Sequence, residues 1–467
     1  MKRIHIGKLN EKNKGEKVCI KGWVDTVREH GKLIFLDIRD VSGVVQTVVS
    51  AKSNKGAFDK TKQLTKESSV CIEGVVNLRP AGTTNEKIPT GKIEIEISAV
   101  EAYTICPPLP FELDKNDISE EVRLKYRYLD LRRPEMQRNL ILRGKIIEVI
   151  RSFFSSEGFT EFETPLLAKS TPEGARDYVV PSRVHPGKFY ALPQSPQLFK
   201  QLLMVAGMEK YYQIARCLRD EDLRADRQPE FTQLDVEMSF IDQEDVFDVV
   251  ERLMKCIYKE VLNENLKIPF KRIPYKDAMA KYNSDKPDLR KETNEKYAFS
   301  WIVDFPLFEY SKEEKKYVAA HHPFCMPNDL SLFDKDPTKV FGKTYDLVLN
   351  GTELLSGSIR IHNPQIQQKV FDVLGISLKE AQEKFGFLLN ALSYGAPPHG
   401  GFAIGLDRFI QIITGASSIR EIIAFPKNSD AKDIMLDAPS IIDAKQLKEA
   451  HIKLDIPATK ETPKKKS

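Results

Sequence analysis

The sequence predicts an α+β protein in two parts: a small N-terminal β-barrel, and a larger domain in which an antiparallel sheet is flanked by helices. Three observations predict this. The first hundred residues hold five short strand patterns separated by turn signals, a spacing that suits a closed barrel. Three prolines in Ile105–Phe111 (ICPPLPF) then stop helix and sheet alike. Beyond them, helical apolar stripes are interspersed with segments of two-residue alternation, most clearly at Gln233–Phe240. A chain of 467 residues is also too long for one core. The expected division is a barrel over 1–104, a linker or hinge over 105–137, the sheet domain over 138–445 and a C-terminal extension with a charged tail over 446–467.

Lys+Arg 71 against Asp+Glu 67 gives a net charge of only +4, so no global field recruits nucleic acid and any such contact is local. The six cysteines lie far apart without a CxxC pair, which argues against structural zinc and a disulfide framework and fits a reducing compartment. With no secretory leader and no apolar run of membrane-spanning length, the expectation is a soluble, cytoplasmic protein without a membrane partner.

In the barrel the strand patterns are VCIKGWV (18–24), LIFLDIR (33–39), GVVQTVV (43–49), SVCIEGVVNL (69–78) and KIEIEISAV (92–100). Five strands so spaced suit the OB fold, which offers nucleic acid a basic face with stacking aromatics. Alternation alone leaves Phe35 and Gln46 equally suited to that face or to the barrel wall.

In the second part, Leu142–Phe154 reads as an amphipathic helix and Phe159–Leu167 (FTEFETPLL) as a strand ending near Pro165. Ser195 and Pro196 open a helix whose Leu198, Leu202 and Leu203 face inward, with Gln197 and Lys200 on another side. A lysine near a helix start opposes the macrodipole, so an anionic ligand explains Lys200 better than structure does. Tyr212–Phe240 follows. Its strand places Leu234, Val236, Met238 and Phe240 on one face and Gln233, Asp235, Glu237 and Ser239 on the other. Just before it, Arg219, Arg224 and Arg227 interleave with Asp220, Glu221, Asp222 and Asp226, and Phe231 offers a flat apolar face. Such guanidiniums either form a salt-bridged loop or fork onto phosphate oxygens. In Ala319–Phe324 (AAHHPF) the adjacent histidines lack a third ligand nearby, which speaks against a metal.

The stretch 345–361 (YDLVLNGTELLSGSIRI) reads as a hairpin turning at Asn350-Gly351. That register sets Val348 opposite Glu353 and makes Asp346 a diagonal neighbour of Glu353, about 7–8 Å away at Cα. This gap suits two carboxylates sharing a hydrated Mg²⁺, or simply two acids on a sheet. Strict alternation puts Arg360 on the opposite face from Glu353 unless a bulge intervenes at Ser356-Gly357. Finally, Gly400–Gly405 reads as a strand, and Leu406, Phe409, Ile410 and Ile413 give the next helix one apolar stripe. Arg408 lies off the stripe in the first turn, where the dipole disfavours a cation unless an anion binds there. The tail TKETPKKKS is charged and expected to be disordered.

Several of these segments carry a resemblance to the class II aminoacyl-tRNA synthetases, in the form of the bacterial-type aspartyl enzymes. CLRDEDLRADRQPEFTQLDVE resembles their motif 2, PPHGGFAIGLDRFIQIITG motif 3, and the helix–strand–proline segment motif 1, which builds the dimer interface. GWV, LIFLDIRD and GVVQ resemble their anticodon-binding OB domain, and EEVRLKYRYLDLRRPEMQRNL their hinge. The resemblance spans Gly22 to about Pro439 and implies a class II synthetase catalytic domain in a homodimer. It implies ATP as substrate with Mg²⁺ held by Asp346 and Glu353, and L-aspartate and tRNA as partners. Catalysis falls to Arg219 on the α-phosphate and Arg408 on the γ-phosphate, with Phe231 under the adenine. Asp220, Glu221, Gln228, Glu353, Gly405, Leu406 and Asp407 complete the ATP site. Aspartate falls to Ser195, Gln197, Arg219, Asp235 and His321, to Lys200 and Arg360 for its side-chain carboxylate, and to Glu173 in a mobile lid. Arg28, His30, Phe35, Gln46 and Gly82 fall to the anticodon.

The family's glycines at two hairpin positions are Leu355 and Ser356 here, and between Asp288 and Trp301 the chain lacks the domain-sized insertion of the bacterial enzymes. His30 and Gly82 resemble family members that charge tRNA(Asn) as well as tRNA(Asp), whereas restricted members tend to carry Leu and Lys. A relaxed enzyme makes Asp-tRNA(Asn), which requires an amidotransferase in the same cell. The alternatives are a restricted aspartyl enzyme, an asparaginyl or lysyl enzyme of the same fold, and a non-catalytic synthetase-like RNA-binding protein.

Overall fold

The computed structural model describes residues 1–171, 174–223, 226–313 and 315–456, and it divides into two compact units, Met1–Lys115 and Asn116–Ser467. In the first, strands β1 (Lys17–His30), β2 (Leu33–Asp40), β3 (Gly43–Ser50), β4 (Ser69–Leu78) and β5 (Ile93–Thr104) close a barrel in the order β1-β2-β3-β5-β4, with β3 and β5 parallel. Alternation explains the closure: Ile34, Leu36 and Ile38 point into the core while Phe35, Asp37 and Arg39 point out.

The second unit is built on an eight-stranded sheet. In chain order its strands are β6 (Thr160–Glu161), β7 (Lys210–Leu218), β8 (Glu230–Ser239), β9 (Lys271–Pro274), β10 (Phe299–Val303), β11 (Thr344–Leu349), β12 (Thr352–Ile359) and β13 (His399–Gly405). They lie in the order β9-β10-β11-β12-β13-β8-β7-β6. The expectation of an antiparallel sheet holds for the interior, but the pairs at both edges, β9 with β10 and β6 with β7, are parallel. One face is covered by helices at Pro134–Ser156, Gln243–Ile257 and Leu406–Thr414, which share an apolar core with Leu234, Val236, Trp301 and Tyr345. The other face holds the polar side chains.

Four local expectations need correction. The first helix begins at Pro134, eight residues before the apolar stripe, because proline at the first helical position needs no N–H partner. The strand expected over Phe159–Leu167 is two residues long, pairing only at Tyr211 and Tyr212, and Leu166 and Leu167 remain exposed. β8 is buried on both faces from Leu234 onward, and Phe240 lies beyond its end, exposed, with φ 59°. In the hairpin, Asn350-Gly351 forms the two-residue turn with φ 53° and 80°, and Val348 pairs with Glu353 as expected. The bulge sits earlier than Ser356-Gly357: Leu347 pairs with Leu355, so Leu354 is the extra residue. It brings Glu353, Ser356 and Arg360 onto one face.

Candidate functional site

A cavity of about 590 Å³ opens on the polar face of the sheet, over β8, β12 and β13. At one end Lys200 is only 1% exposed, and the buried residues of Gln197–Val205 are Leu198, Lys200, Gln201 and Met204, so Lys200 is buried with Leu198 rather than on a side apart from the inward-facing leucines. An ammonium is buried only with partners. Its Nζ donates to Asp235 Oδ2 (3.0 Å) and Val236 O (3.4 Å) and lies 3.2 Å from Glu237 Oε2. Arg360 is likewise buried. Nε and Nη2 donate to the two oxygens of Glu237 (2.9 and 3.1 Å), and Nη1 donates to His322 Nε2 (2.6 Å) and Ser358 Oγ (2.7 Å). Both cations therefore carry internal carboxylates, so neither is left without an anion in an empty site. Each cation holds Glu237 low, near pKa 2, against the pull of burial, whereas burial pushes Asp235 up. Asp235 Oδ1 is buried with no hydrogen-bond partner.

Glu237 was read from the alternation as one polar residue among four, yet it ties both cations together. Its backbone fit is tight as well: a Cβ on Gly401 of the neighbouring strand would lie 2.0 Å from Val236 O and 2.1 Å from Glu237 Oε2. Gln197 reaches the same floor through a relay in which its Nε2 donates to Gln201 Oε1 (3.0 Å), and Gln201 Nε2 contacts His399 Nε2 (3.2 Å). His321 faces Ser356 Oγ at 3.4 Å, and burial lowers its pKa; burial beside Arg360 lowers that of His322 further, so neutral imidazoles line this wall. Ser356, where the family resemblance leads one to expect glycine, thus supplies a hydroxyl to the cavity.

At the other end stand Arg219 and Arg408. The Arg219 guanidinium lies over the Phe231 ring, 5.1 Å from its centroid, and its Nε is buried without a hydrogen-bond partner. A base stacked on Phe231 therefore takes the face that Arg219 does not. Arg408 Nη1 donates to Glu353 O (2.8 Å), and Nη2 lies 3.5 Å from Asp226. Glu221, Gln228 and Gly405 also line this end. Gln228 is pinned, however, since its amide exchanges two hydrogen bonds with the backbone of Lys427 (3.0 and 2.8 Å).

Two residues assigned to ATP, Asp220 and Leu406, lie outside the cavity lining, whereas Asp407 is part of it. Asp220 is near Arg176. Leu406 is fully buried in the core. Asp407 accepts from Thr232 N (2.8 Å) and pairs with Arg143, tying three elements together. Glu173 lies outside the described residues. Of the two acids assigned to metal, Glu353 lines the cavity, while Asp346 is buried behind it with Oδ1 unpartnered, its pKa pushed well up by burial and by Glu353. Among the described residues no group of three or more His, Cys, Asp and Glu could hold a metal. Two carboxylates with one orphaned oxygen still fit a hydrated ion that takes its other ligands from phosphate and water. Lys286 is a cavity residue that the sequence reading did not single out, and His322, noticed there only as one of two adjacent histidines, was given no role in the site.

In the barrel, Arg28, Phe35 and Gln46 share the outer face. Arg28 pairs with Asp37 (2.9 Å) and donates to Gln46 Oε1 (3.2 Å), while Gln46 Nε2 donates to Glu94 (2.8 Å). The amide is thereby oriented, with one N–H still free for a base edge. His30 packs edge-on to Phe35 with centroids 6.1 Å apart. Gly82 has φ +82°, so a side chain there is strained whatever else it does. Asp37 and Glu94 were missed, although the outward alternation of β2 pointed to the first.

Comparison with known proteins follows this geometry. Residues 119–429 match the family model "tRNA synthetases class II (D, K and N)", and residues 18–103 match "OB-fold nucleic acid binding domain". Among curated relatives, the chain is 44% identical to a protein of Caldanaerobacter subterraneus subsp. tengcongensis named aspartate–tRNA(Asp/Asn) ligase, covering 98% of this chain and 99% of that one. It is 46% identical, with the same coverages, to a protein of that name from Dictyoglomus turgidum. The first alignment runs over 586 positions against 467 residues here, so that relative carries a long stretch this chain lacks. Among solved structures, asparaginyl-tRNA synthetase from Pyrococcus horikoshii superposes with a TM-score of 0.76 at 24% identity, over 91% of this chain and 98% of that one. Aspartyl-tRNA synthetase from Entamoeba histolytica gives 0.75 at 22% identity, over 92% of each. Those two establish a shared fold; with the family match over most of its length, the chain belongs to the class II tRNA synthetases of the D, K and N group.

Proposed function

We propose that this protein is an aspartate–tRNA ligase that charges tRNA(Asp) and also tRNA(Asn). The observation that carries the reading is the polarity of the cavity over β8, β12 and β13. Its inner end sets an unpartnered carboxylate oxygen, Asp235 Oδ1, beside Lys200 and Arg360, which matches an ammonium flanked by a carboxylate. Its outer end sets Arg219 and Arg408 where a triphosphate would lie. An inner end with two cations disfavours a lysine substrate, and asparagine offers them only an amide. The names of the relatives support the same substrate.

In the reaction, an oxygen of the aspartate α-carboxylate attacks the ATP α-phosphorus; the bond from that phosphorus to the bridging oxygen breaks, and pyrophosphate leaves. A hydroxyl of the terminal tRNA ribose then attacks the acyl carbon and releases AMP. No enzyme nucleophile is required. Asp235 holds the ammonium, Arg219 neutralises the transferring phosphate and Arg408 the leaving end, so the chain's contribution is positioning and charge stabilisation. Asp346 and Glu353 would hold Mg²⁺, which when bound supplies further neutralisation of phosphate charge. Residues 1–104 read the anticodon, 105–137 connect, 138–445 carry the chemistry, and 446–467 form an extension whose tail from 457 lies outside the described residues. Homodimerisation through the motif 1 segment accounts for exposed Leu166 and Leu167, each 53% exposed. No helix of the described residues is long and apolar enough to cross a membrane.

The dual tRNA specificity rests on His30 and Gly82. The third anticodon base is C or U, and these exchange an amino donor for a carbonyl acceptor; imidazole serves either, while glycine enforces neither. Purified transcripts of both tRNAs are expected to be charged with kcat/KM values within about tenfold, or 1.4 kcal/mol. A preference for tRNA(Asp) of about a hundredfold or more would show a restricted enzyme.

A further inference from the structure

Lys286 stands on the loop between the helix Tyr275–Tyr282 and the short helix Arg290–Thr293, and its Nζ reaches the outer end of the cavity, 2.7 Å from Glu353 Oε2. The loop is fastened in place. Leu289 is buried in a cluster with Ile273, Ile302 and Val348, and Asp288 accepts from Arg290 N (3.1 Å) while pairing with its guanidinium (2.6 Å). The hairpin turn before Glu353 packs on the same loop: a Cβ on Gly351 would sit 3.1 Å from Asp288 Cβ. Asn350 adds two ties, accepting from Ala298 N (2.9 Å) and donating to Lys296 O (3.1 Å). Lys286 is therefore delivered to Glu353 by two anchored elements.

The charges around it explain why a cation is needed there. Glu353 stands near buried Asp346, with Asp285 adding a further negative charge, and Lys286 is the cation that relieves them. The Lys286 and Glu353 side chains are 40% and 30% exposed, so this pair is weak and easily exchanged, unlike buried Lys200 with Asp235 and Glu237. A triphosphate beside Arg408 would meet the Glu353 carboxylate, a contact that is repulsive unless a divalent cation lies between them. An ammonium on a flexible stem suits a phosphate equally well.

We propose that Lys286 is a phosphate-binding residue of the nucleotide site which serves as the counter-ion of Glu353 while no nucleotide is bound. The triphosphate draws the ammonium onto its β- or γ-phosphate, and the Glu353 carboxylate is thereby left open to a divalent cation. This rests on the reading of the cavity as an ATP-dependent activation site. The test uses the full chain with Mn²⁺ as probe: free Mn²⁺ is followed by electron paramagnetic resonance, and ATP binding without metal by calorimetry. Lys286→Met is expected to bind Mn²⁺ alone about tenfold more tightly than the wild type and metal-free ATP about tenfold more weakly. Lys286→Arg restores ATP binding, and adding Glu353→Gln abolishes the gain in Mn²⁺ affinity. Unchanged or weaker Mn²⁺ binding by Lys286→Met, or unchanged ATP binding, would overturn the proposal. A wild-type protein that neither binds ATP nor exchanges pyrophosphate would instead overturn the underlying reading, and the proposal with it.

Discussion

Arg219→Ala is expected to lower aspartate-dependent pyrophosphate exchange by at least a hundredfold, about 3 kcal/mol or more of transition-state stabilisation, while leaving the fold intact. The guanidinium lies over the Phe231 ring, 5.1 Å from its centroid, and its buried Nε has no hydrogen-bond partner among the described residues. An Nε–H buried at the cavity and left without an acceptor is available to a developing phosphate charge. Arg219→Lys retains a charge but not the planar fork, and recovers only part of the loss. Circular dichroism of both variants should match the wild type. Exchange near the wild-type rate in Arg219→Ala would remove Arg219 from the reaction.

The largest effect on stability is expected at Glu237. Glu237→Ala leaves Arg360 without its bidentate partner and Lys200 with one carboxylate instead of two, all of them buried. Breaking such a buried arrangement from one side costs about 3–5 kcal/mol, read as a lower midpoint of chemical denaturation. The same group dictates a pH signature. Its pKa in the folded protein lies near 2, below the 4.5 of an unperturbed glutamate. The unfolded chain therefore binds the proton first as pH falls, so the stability Glu237 contributes is present in full above about 4.5 and is lost between 4.5 and 2. Glu237→Gln removes that loss, and its stability should vary less with pH in this window. An unchanged midpoint for Glu237→Ala would contradict the role given to the cluster.

The barrel and the sheet were legible because period-two alternation is a strong signal wherever one face is buried, as in β2 and β13. The edge strand at Phe159–Leu167 was not: sequence shows the propensity to extend but not whether a partner strand lies alongside. The hairpin shows both limits. Asn350-Gly351 announces its turn chemically, whereas the bulge at Leu354 has no glycine to mark it and only the register reveals it. In the site, arginines and aromatics placed against their usual helix or loop preferences pointed to ligands. What local pattern cannot give is pairing between distant segments. Glu237 joins Arg360 across 123 positions and Lys286 joins Glu353 across 67, so the neutralisation of the cations and the loop cation at the phosphate end became visible only in three dimensions.

The division of the cavity into an end for aspartate and an end for phosphate is tested most directly by pyrophosphate exchange with aspartate, asparagine and lysine compared in parallel. Because Glu237 already neutralises part of the charge on Lys200 and Arg360, rejection of asparagine rests on the positive charge left at the inner end and not on two cations without an anion. Aspartate is expected to exceed asparagine in kcat/KM by about a hundredfold or more, about 2.7 kcal/mol, with no measurable exchange for lysine. Exchange with asparagine equal to that with aspartate would contradict the assignment of the inner end to a side-chain carboxylate.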